Sequence, residues 1–176
     1  MAHVLIVVDM QNDFISGSLG TPEAKAIVPY VKQRIAAFNG VVYFTQDTHD
    51  EHYLETEEGH HLPVVHCQKG SEGHRLHESL EPLVDIKQAV VIQKDTFGSK
   101  SLIEHLQKLD KQSKIESVEL LGLCTDICVI SNALLIKAYF PNVPLIVDAK
   151  GSAGVTPESH HNALEAMKMC QINIKQ

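Results

Sequence analysis

Glu119-Leu120-Leu121-Gly122-Leu123-Cys124-Thr125-Asp126-Ile127-Cys128-Val129 is the stretch from which the fold can be read. Leu120 and Leu121 lie in a short apolar run that reads as the end of a buried strand, and Gly122 breaks it. Thr125 or Asp126 can then cap a helix, because the apolar positions Ile127, Val129, Ile130, Ala133 and Leu134 recur at helical spacing. A strand turning directly into a helix presents side chains and free backbone N–H groups at the carboxyl edge of a sheet, where open α/β sheets bind ligands. Cys128 falls in the first helical turn, where the helix dipole favours a thiolate. Such a site suits a nucleophile. Taken alone, Cys124 and Cys128 are also compatible with two small buried hydrophobes, the usual role of free cysteines.

Outward from this stretch, strand and helix signals alternate. His3 to Val8 is a β-branched run ending at Asp9, as expected of a central parallel strand with an acid at its carboxyl end. Met10 to Gly20 reads as loop. Pro22 opens a helix to about Phe38, with Ala24, Ile27, Val28, Val31 and Ile35 on one face. Val41 to Thr45 is a second strand closing on Gln46 and Asp47. From Thr48 to about Gly73 the chain is polar and rich in His and Glu, and a loop of that length inside a compact domain is usually functional. A short helix is expected over Leu76 to Leu83 and a third strand from Ala89 to Gln93, ending at Lys94. A helix from Ser99 to Leu109, a fourth strand from Ser117 to Leu121 and a helix from Asp126 to Ala138 follow. Val143 to Val147 is a fifth strand, Thr156 caps a helix that starts at Pro157 and runs to about Cys170, and Ile172 to Ile174 adds a short sixth strand. This alternation calls for a parallel sheet covered by helices on both faces. No linker or repeat divides the chain, so residues 1–176 are expected to form one domain.

The totals narrow the class. A chain of 176 residues with 44% hydrophobic and 21% charged residues can bury a sizeable core. A net charge of -7 argues against nucleic acid or an anionic membrane as partner. No signal-peptide pattern is present, and the run Val4 to Val8 is far too short to cross a bilayer. Cys67, Cys124, Cys128 and Cys170 show no paired zinc-ribbon spacing and are expected as reduced thiols in a cytoplasmic protein.

Three reactive side chains end or follow strands: Asp9, Lys94 and Cys128. In a parallel sheet those ends share one edge, so the three can converge. A thiolate attacks a carbonyl carbon, a carboxylate takes and returns the proton, and an ammonium holds the developing charge. The competing reading for Asp9 and Lys94 is a structural ion pair. A second cluster is Asp47, His49, Glu58 and His66. In extended chain Asp47 and His49 point the same way. Two imidazoles with one or two carboxylates suit Zn, Mn or Fe(II), although a His-rich surface loop is the simpler account of the spacing. His52, His60, His61, His74 and His77 are expected at the surface.

With these residues in view, the chain resembles the isochorismatase-like cysteine hydrolases and, among them, the nicotinamidases (pyrazinamidases) of NAD salvage. The resemblance is carried by Val7-Val8-Asp9-Met10-Gln11-Asn12-Asp13-Phe14, by Thr45-Gln46-Asp47-Thr48-His49 and by Leu62-Pro63-Val64-Val65-His66-Cys67-Gln68-Lys69-Gly70. It continues in Lys94-Asp95-Thr96-Phe97-Gly98-Ser99 and Gly122-Leu123-Cys124-Thr125-Asp126-Ile127-Cys128-Val129. These pieces occur in family order across nearly the whole chain.

The resemblance implies a Rossmann-like three-layer α/β/α sandwich around a six-stranded parallel sheet. It implies Asp9 as general base and acid, Lys94 as the triad lysine and Cys128 as the nucleophile. A cis peptide would fall at Leu123–Cys124, and the N–H groups of Cys124 and Cys128 would form the oxyanion hole. Asp47, His49 and His66 would bind a divalent metal, with Glu58 as fourth ligand and Zn expected ahead of Mn or Fe. Phe14 and Phe97 would flank the substrate ring, and a homo-oligomer is expected.

One departure bears on the substrate. Nicotinamidases commonly carry Trp or Phe shortly before the last metal histidine, whereas this chain has Leu62-Pro63-Val64-Val65 and no Trp. A related amidase for another small amide, such as an N-carbamoyl compound, is the alternative, and a non-catalytic member of the fold the third reading. Isochorismatases proper lack the catalytic cysteine, so Cys128 argues against ether hydrolysis.

Overall fold

Six strands make the sheet, the inner ones built on aliphatic and β-branched runs: β1 (Ala2–Val8), β2 (Val41–Asp47), β3 (Val90–Lys94), β4 (Ile115–Leu123), β5 (Leu145–Ala153) and β6 (Asn173–Lys175). The computed structural model describes all 176 residues, Met1–Gln176. All strand pairs are parallel, in the order β3-β2-β1-β4-β5-β6. The winding reverses between β1 and β4, so their carboxyl ends form the topological switch point where such sheets bind ligands. Register then brings the candidate residues together. Val8 is level with Thr45 on one side and Gly122 on the other, and Asp47 is level with Lys94. Gly122 has φ +124°, and a Cβ there would run into the carbonyl oxygen of Val8. Glycine is what lets β4 lie against β1 at this point.

Helices α1 (Asn12–Ile15), α2 (Pro22–Ala37) and α4 (Glu81–Ile86) cover one face of the sheet; α5 (Lys100–Gln112), α6 (Ile130–Tyr139) and α7 (Pro157–Met169) cover the other. Helix α3 (Glu57–His61) lies in the loop after β2. The two interfaces bury 22 and 19 apolar side chains, nearly even halves, which makes this a three-layer α/β/α sandwich of Rossmann type. Caps match the sequence signals: Thr21 accepts from the Ala24 N–H at 3.0 Å, Ser99 from Leu102 at 3.1 Å, and Thr156 forms a capping box with Ser159.

Beneath α2, Arg34 grips Glu119 with Nε at 2.9 Å and Nη2 at 2.6 Å. Lys175 Nζ reaches Asp148 at 2.8 Å and Tyr30 donates to the same carboxylate at 3.0 Å. This network ties α2 and the last strand to β4 and β5.

Four local expectations are corrected. The segment read as loop from Met10 to Gly20 contains α1, whose first N–H groups are taken by the carbonyls of Arg75 and Gly73, at 3.0 Å each. The long loop after β2 contains a 3-10 turn (Tyr53–Glu55) and α3, capped by Thr56. The helix expected over Leu76 to Leu83 starts only at Glu81, where Pro82 sets the first turn. The segment after β4 opens as a π-helical turn, Thr125–Val129. Thr125 and Asp126 do not cap it. Thr125 Oγ1 lies 2.8 Å from His160 Nδ1, and the Asp126 carboxylate accepts the Val155 N–H at 3.2 Å, so both side chains hold the approach to α7 instead. No helix is long and apolar enough to cross a membrane.

Candidate active site

Asp9 leaves the end of β1 with φ 48°, in the left-handed region that favours glycine and that costs a branched or acidic residue some strain. It is fully buried. Thr45 Oγ1 donates to its Oδ1 at 2.6 Å, and Lys94 Nζ lies 2.7 Å from its Oδ2. Lys94 Nζ also reaches Asp47 Oδ1 at 3.1 Å and Cys128 Sγ at 3.4 Å. Asp9, Lys94 and Cys128 therefore meet at the switch point, as the strand ends require.

Burial opposes charge on all three members of this trio, and their mutual attractions offset it to different degrees. Burial pushes the Asp9 carboxyl above its ordinary value of 3.8, with Asp47 adding and Lys94 opposing. Burial disfavours the Lys94 ammonium, but Asp9, Cys128 and Asp47 together hold it well above its ordinary value. Burial and then Asp9 push the Cys128 thiol well above 9.0. The expectation that a helix dipole stabilises a resting thiolate is thus not met, because desolvation outweighs it here. Asp9 is the carboxyl that faces the Cys128 thiol. The Leu123–Cys124 peptide is cis.

The second cluster assembles next to the first. His49 Nε2 lies 2.9 Å from Asp47 Oδ2, and His66 Nε2 lies 3.6 Å from the same oxygen. Glu58 Oε1, on α3, is 3.7 Å from His49 Nε2 and 3.8 Å from His66 Nε2. All four donor atoms lie within 4.8 Å of one another. Nitrogen and oxygen ligands at ~2.0–2.2 Å around a tetrahedral ion sit about 3.3–3.6 Å apart, so the spacing fits a Zn-sized cation. His66 Nδ1 donates to the Val64 carbonyl at 2.7 Å, which leaves its Nε2 lone pair facing the cluster. Burial alone would raise Asp47, but the His49 and His66 side chains facing it and the Lys94 charge hold it well below the usual carboxylate range. A buried carboxylate kept ionised beside two imidazoles is a metal-ready donor set.

Cys128 and all four members of the second cluster line one cavity of about 910 Å³, with Asp9 and Lys94 buried behind it. Phe14 and Phe97, the expected ring-flanking aromatics, both line it, with Phe14 buried at 5.5 Å from the His66 ring. Cys124 and Cys128 line it as well.

A profile of the isochorismatase domain matches residues 3–175. The chain belongs to the isochorismatase family. Its similarity to the uncharacterised family protein PncA of Bacillus subtilis is 30% identity over 177 residues, covering 93% of each chain. Among solved structures it superposes on the nicotinamidase/pyrazinamidase PncA of Bacillus subtilis with TM-score 0.84 at 27% identity, each chain fully covered. It is also similar to the pyrazinamidase of Pyrococcus horikoshii, solved in complex with zinc, with TM-score 0.80 at 28% identity and coverage of 100% and 99%. The N-carbamoylsarcosine amidase of Thermoplasma acidophilum matches with TM-score 0.80 at 26% identity, covering 100% and 96%. Within the isochorismatase family this chain is a cysteine amidohydrolase.

Around these isochorismatase-family clusters stand residues that the sequence alone did not single out. Tyr53 is buried with its ring 4.6 Å from His49 and 4.9 Å from His66, and its hydroxyl donates to the Leu62 carbonyl at 2.9 Å. Gln11 clamps the Asp47 backbone, accepting its N–H and donating to its carbonyl, at 2.8 Å each. Asn132 donates to the carbonyls of Cys128 at 2.8 Å and Phe97 at 3.0 Å, so it sets the nucleophile turn against the cavity wall. Tyr53 had no signal beyond lying in a polar loop; Gln11 lay in the quoted motif beside Asp9. His74, expected at the surface, is instead buried. Its Nε2 lies 2.9 Å from Thr48 Oγ1, and its carbonyl accepts from Gln11 at 2.9 Å and Gln46 at 2.8 Å.

Proposed function

We propose that this amidohydrolase is a nicotinamidase, converting nicotinamide to nicotinate and ammonia through a thioester on Cys128. The observation that carries the reading is that Cys128 and the Asp47/His49/Glu58/His66 donor set line one cavity, with Asp9 and Lys94 buried behind them and Lys94 bridging Asp9, Cys128 and Asp47. Asp9 takes the Cys128 proton and the sulfur attacks the amide carbon. The N–H groups of Cys124 and Cys128 receive the oxyanion. The C–N bond then breaks as Asp9 returns its proton to the departing ammonia. Asp9 next takes a proton from water, whose oxygen attacks the thioester; nicotinate leaves and the thiol is restored. Lys94 holds the charge that moves between Asp9 and Cys128. Asp47, His49, Glu58 and His66 would hold a divalent ion, Zn ahead of Mn or Fe, which supplies a Lewis-acid contact for the pyridine nitrogen. Phe14 and Phe97 flank the ring. A homo-oligomer in the cytoplasm, acting in pyridine nucleotide salvage, is the setting this reading implies.

The likeness to an N-carbamoylsarcosine amidase, together with the aliphatic Leu62 to Val65 stretch, favours a second reading as an amidase for N-carbamoyl compounds. Ammonia release from nicotinamide, before and after chelation and on return of Zn or Mn, separates the two. Loss on chelation with recovery on metal return is expected. Nicotinamide left intact while an N-carbamoyl amide is hydrolysed despite the chelator would replace the first reading with the second.

A further inference from the structure

The cavity is larger than the proposed substrate needs. At about 910 Å³ it is near the top of the range of pockets that hold drug-sized ligands, whereas a pyridine carboxamide is a single ring with one small substituent. Its inner end is polar, formed by Cys128, Asp47, His49, Glu58 and His66. Phe14 and Tyr53, both buried, close that end. Toward the mouth the lining carries Leu19, Leu62, Phe97, Ile127 and Val155, set among threonines and a few acids. Three of these are among the large hydrophobic side chains that the protein exposes, Leu62 at 37%, Phe97 at 44% and Val155 at 49%. Exposed apolar side chains gathered at one mouth mark a contact surface rather than scattered surface residues.

The orientation of the ring follows from its two anchors. With the carboxamide at Cys128 and the ring nitrogen toward the Asp47/His49/Glu58/His66 donors, the carbon between the anchors, C2, faces the inner end. The carbon opposite, C5, faces the mouth. We infer that the outer half of the cavity takes an apolar, uncharged substituent on C5 of a pyridine-3-carboxamide, so that ring-substituted amides are preferred over the bare ring. Asp50, Glu57 and Asp95 also stand on the lining and disfavour an anionic tail. This inference rests on the nicotinamidase reading and specifies its substrate class.

The test compares nicotinamide with its 5-propyl and 6-propyl derivatives on the metal-loaded enzyme. Steady-state kcat and KM are measured, and Kd is measured by calorimetry on the Cys128→Ala variant. Each methylene that leaves water for an apolar wall strengthens binding about fourfold, so KM and Kd for the 5-propyl amide should fall roughly ten- to fiftyfold with kcat retained. The 6-propyl isomer, substituted beside the ring nitrogen, should bind worse than nicotinamide. Leu62→Asn and Val155→Asn should each shrink the 5-propyl to nicotinamide ratio. If nicotinamide is hydrolysed but the 5-propyl amide binds no better, or both isomers gain equally, this inference alone falls. The same holds if the mouth proves to be covered by a second copy, seen as a concentration-dependent dimer that Leu62→Asn breaks while the ratio stays put. If nicotinamide itself is not hydrolysed, the nicotinamidase reading fails and this inference with it.

Discussion

Lys94 Nζ lies 3.1 Å from Asp47 Oδ1, so the lysine of the nucleophilic trio also contacts the donor set proposed to hold the metal. The contact is a consequence of sheet register, because Asp47 and Lys94 are level on adjacent parallel strands β2 and β3. With Asp9 at 2.7 Å and Cys128 Sγ at 3.4 Å, one ammonium serves two carboxylates and a thiol. A cation placed there favours an ionised Asp47 and, by the same Coulomb argument, opposes a second cation nearby.

Replacing Lys94 by methionine should therefore move two properties in opposite directions. Turnover should fall at least ~100-fold, the lower end of what removing a group that stabilises developing charge costs. Zn affinity should rise, because the competing charge beside Asp47 is gone. Folding should lose about 3–5 kcal/mol, as expected when one partner of a buried ion pair is removed. Calorimetric Zn titration checks this; weaker binding would show that Lys94 organises Asp47 rather than competing with the ion.

The pH dependence follows from Asp9. It must be ionised to accept the Cys128 proton, and burial places its pKa above the ordinary 3.8. The acid limb of kcat/KM should accordingly lie above pH 3.8, with activity falling as the pH drops through the raised value. Stability runs the other way. A carboxyl whose folded pKa is raised contributes stability in full below pH 3.8 and loses it as the pH rises through the folded value. Asparagine resembles the protonated form, so Asp9→Asn should lose ~10²–10⁴-fold in turnover without a lower Tm at pH 7. A clear drop in Tm would mean that the ionised Asp9–Lys94 pair is a net structural support.

Glu58 is the half-exposed member of the donor set and the only one carried on α3. Glu58→Gln keeps the shape and removes the charge, so Zn affinity should weaken by at least the ~10–100-fold that losing a group which merely supports a ligand costs. Turnover should recover when Zn is raised in proportion, whereas His66→Ala should not recover in this way. Parallel Zn titrations of binding and ammonia release measure both. Unchanged affinity would remove Glu58 from the ligand set.

The central strands were legible because β1, β2 and the middle of β4 are largely buried aliphatic runs, and Asp9, Asp47 and Lys94 were legible because they end or follow strands. Helix α1 was not, since its N–H groups are satisfied by carbonyls of Gly73 and Arg75, partners that only the tertiary fold supplies. Tyr53 and His74 were hidden for the same reason: one packs on two histidines and the other bonds across loops, and neither leaves a periodic trace. The acidity of Cys128 was misjudged from its place in a turn, because the dipole argument is local whereas the burial that overrides it comes from the whole core. Four donors from 47 to 66 had no compact motif, and it is α3, capped by Thr56, that brings Glu58 to the two histidines.

Away from the cavity, the pair Arg34–Glu119 makes a prediction about stability alone. Both Arg34 nitrogens engage the Glu119 carboxylate, the Glu119 side chain is 9% exposed, and Asp148 beside it is fully buried. Arg34→Met would leave two carboxylates to Lys175, which stands 3.3 Å from Glu119 and 2.8 Å from Asp148. One cation cannot neutralise both, so the loss should approach about 3 kcal/mol, a Tm lower by roughly 6–12 °C for a chain of this size. None of these residues lines the cavity, so kcat and KM below the transition should stay at wild-type values. The double variant Arg34→Met/Glu119→Leu removes the orphaned charge along with its partner and should recover much of the lost Tm, since an apolar pair often replaces a buried ion pair without penalty. Thermal unfolding of the single and double variants decides it: equal losses in both would mean that Arg34 acts through packing on Phe38, whose ring lies 5.2 Å beneath the guanidinium, and not through its charge.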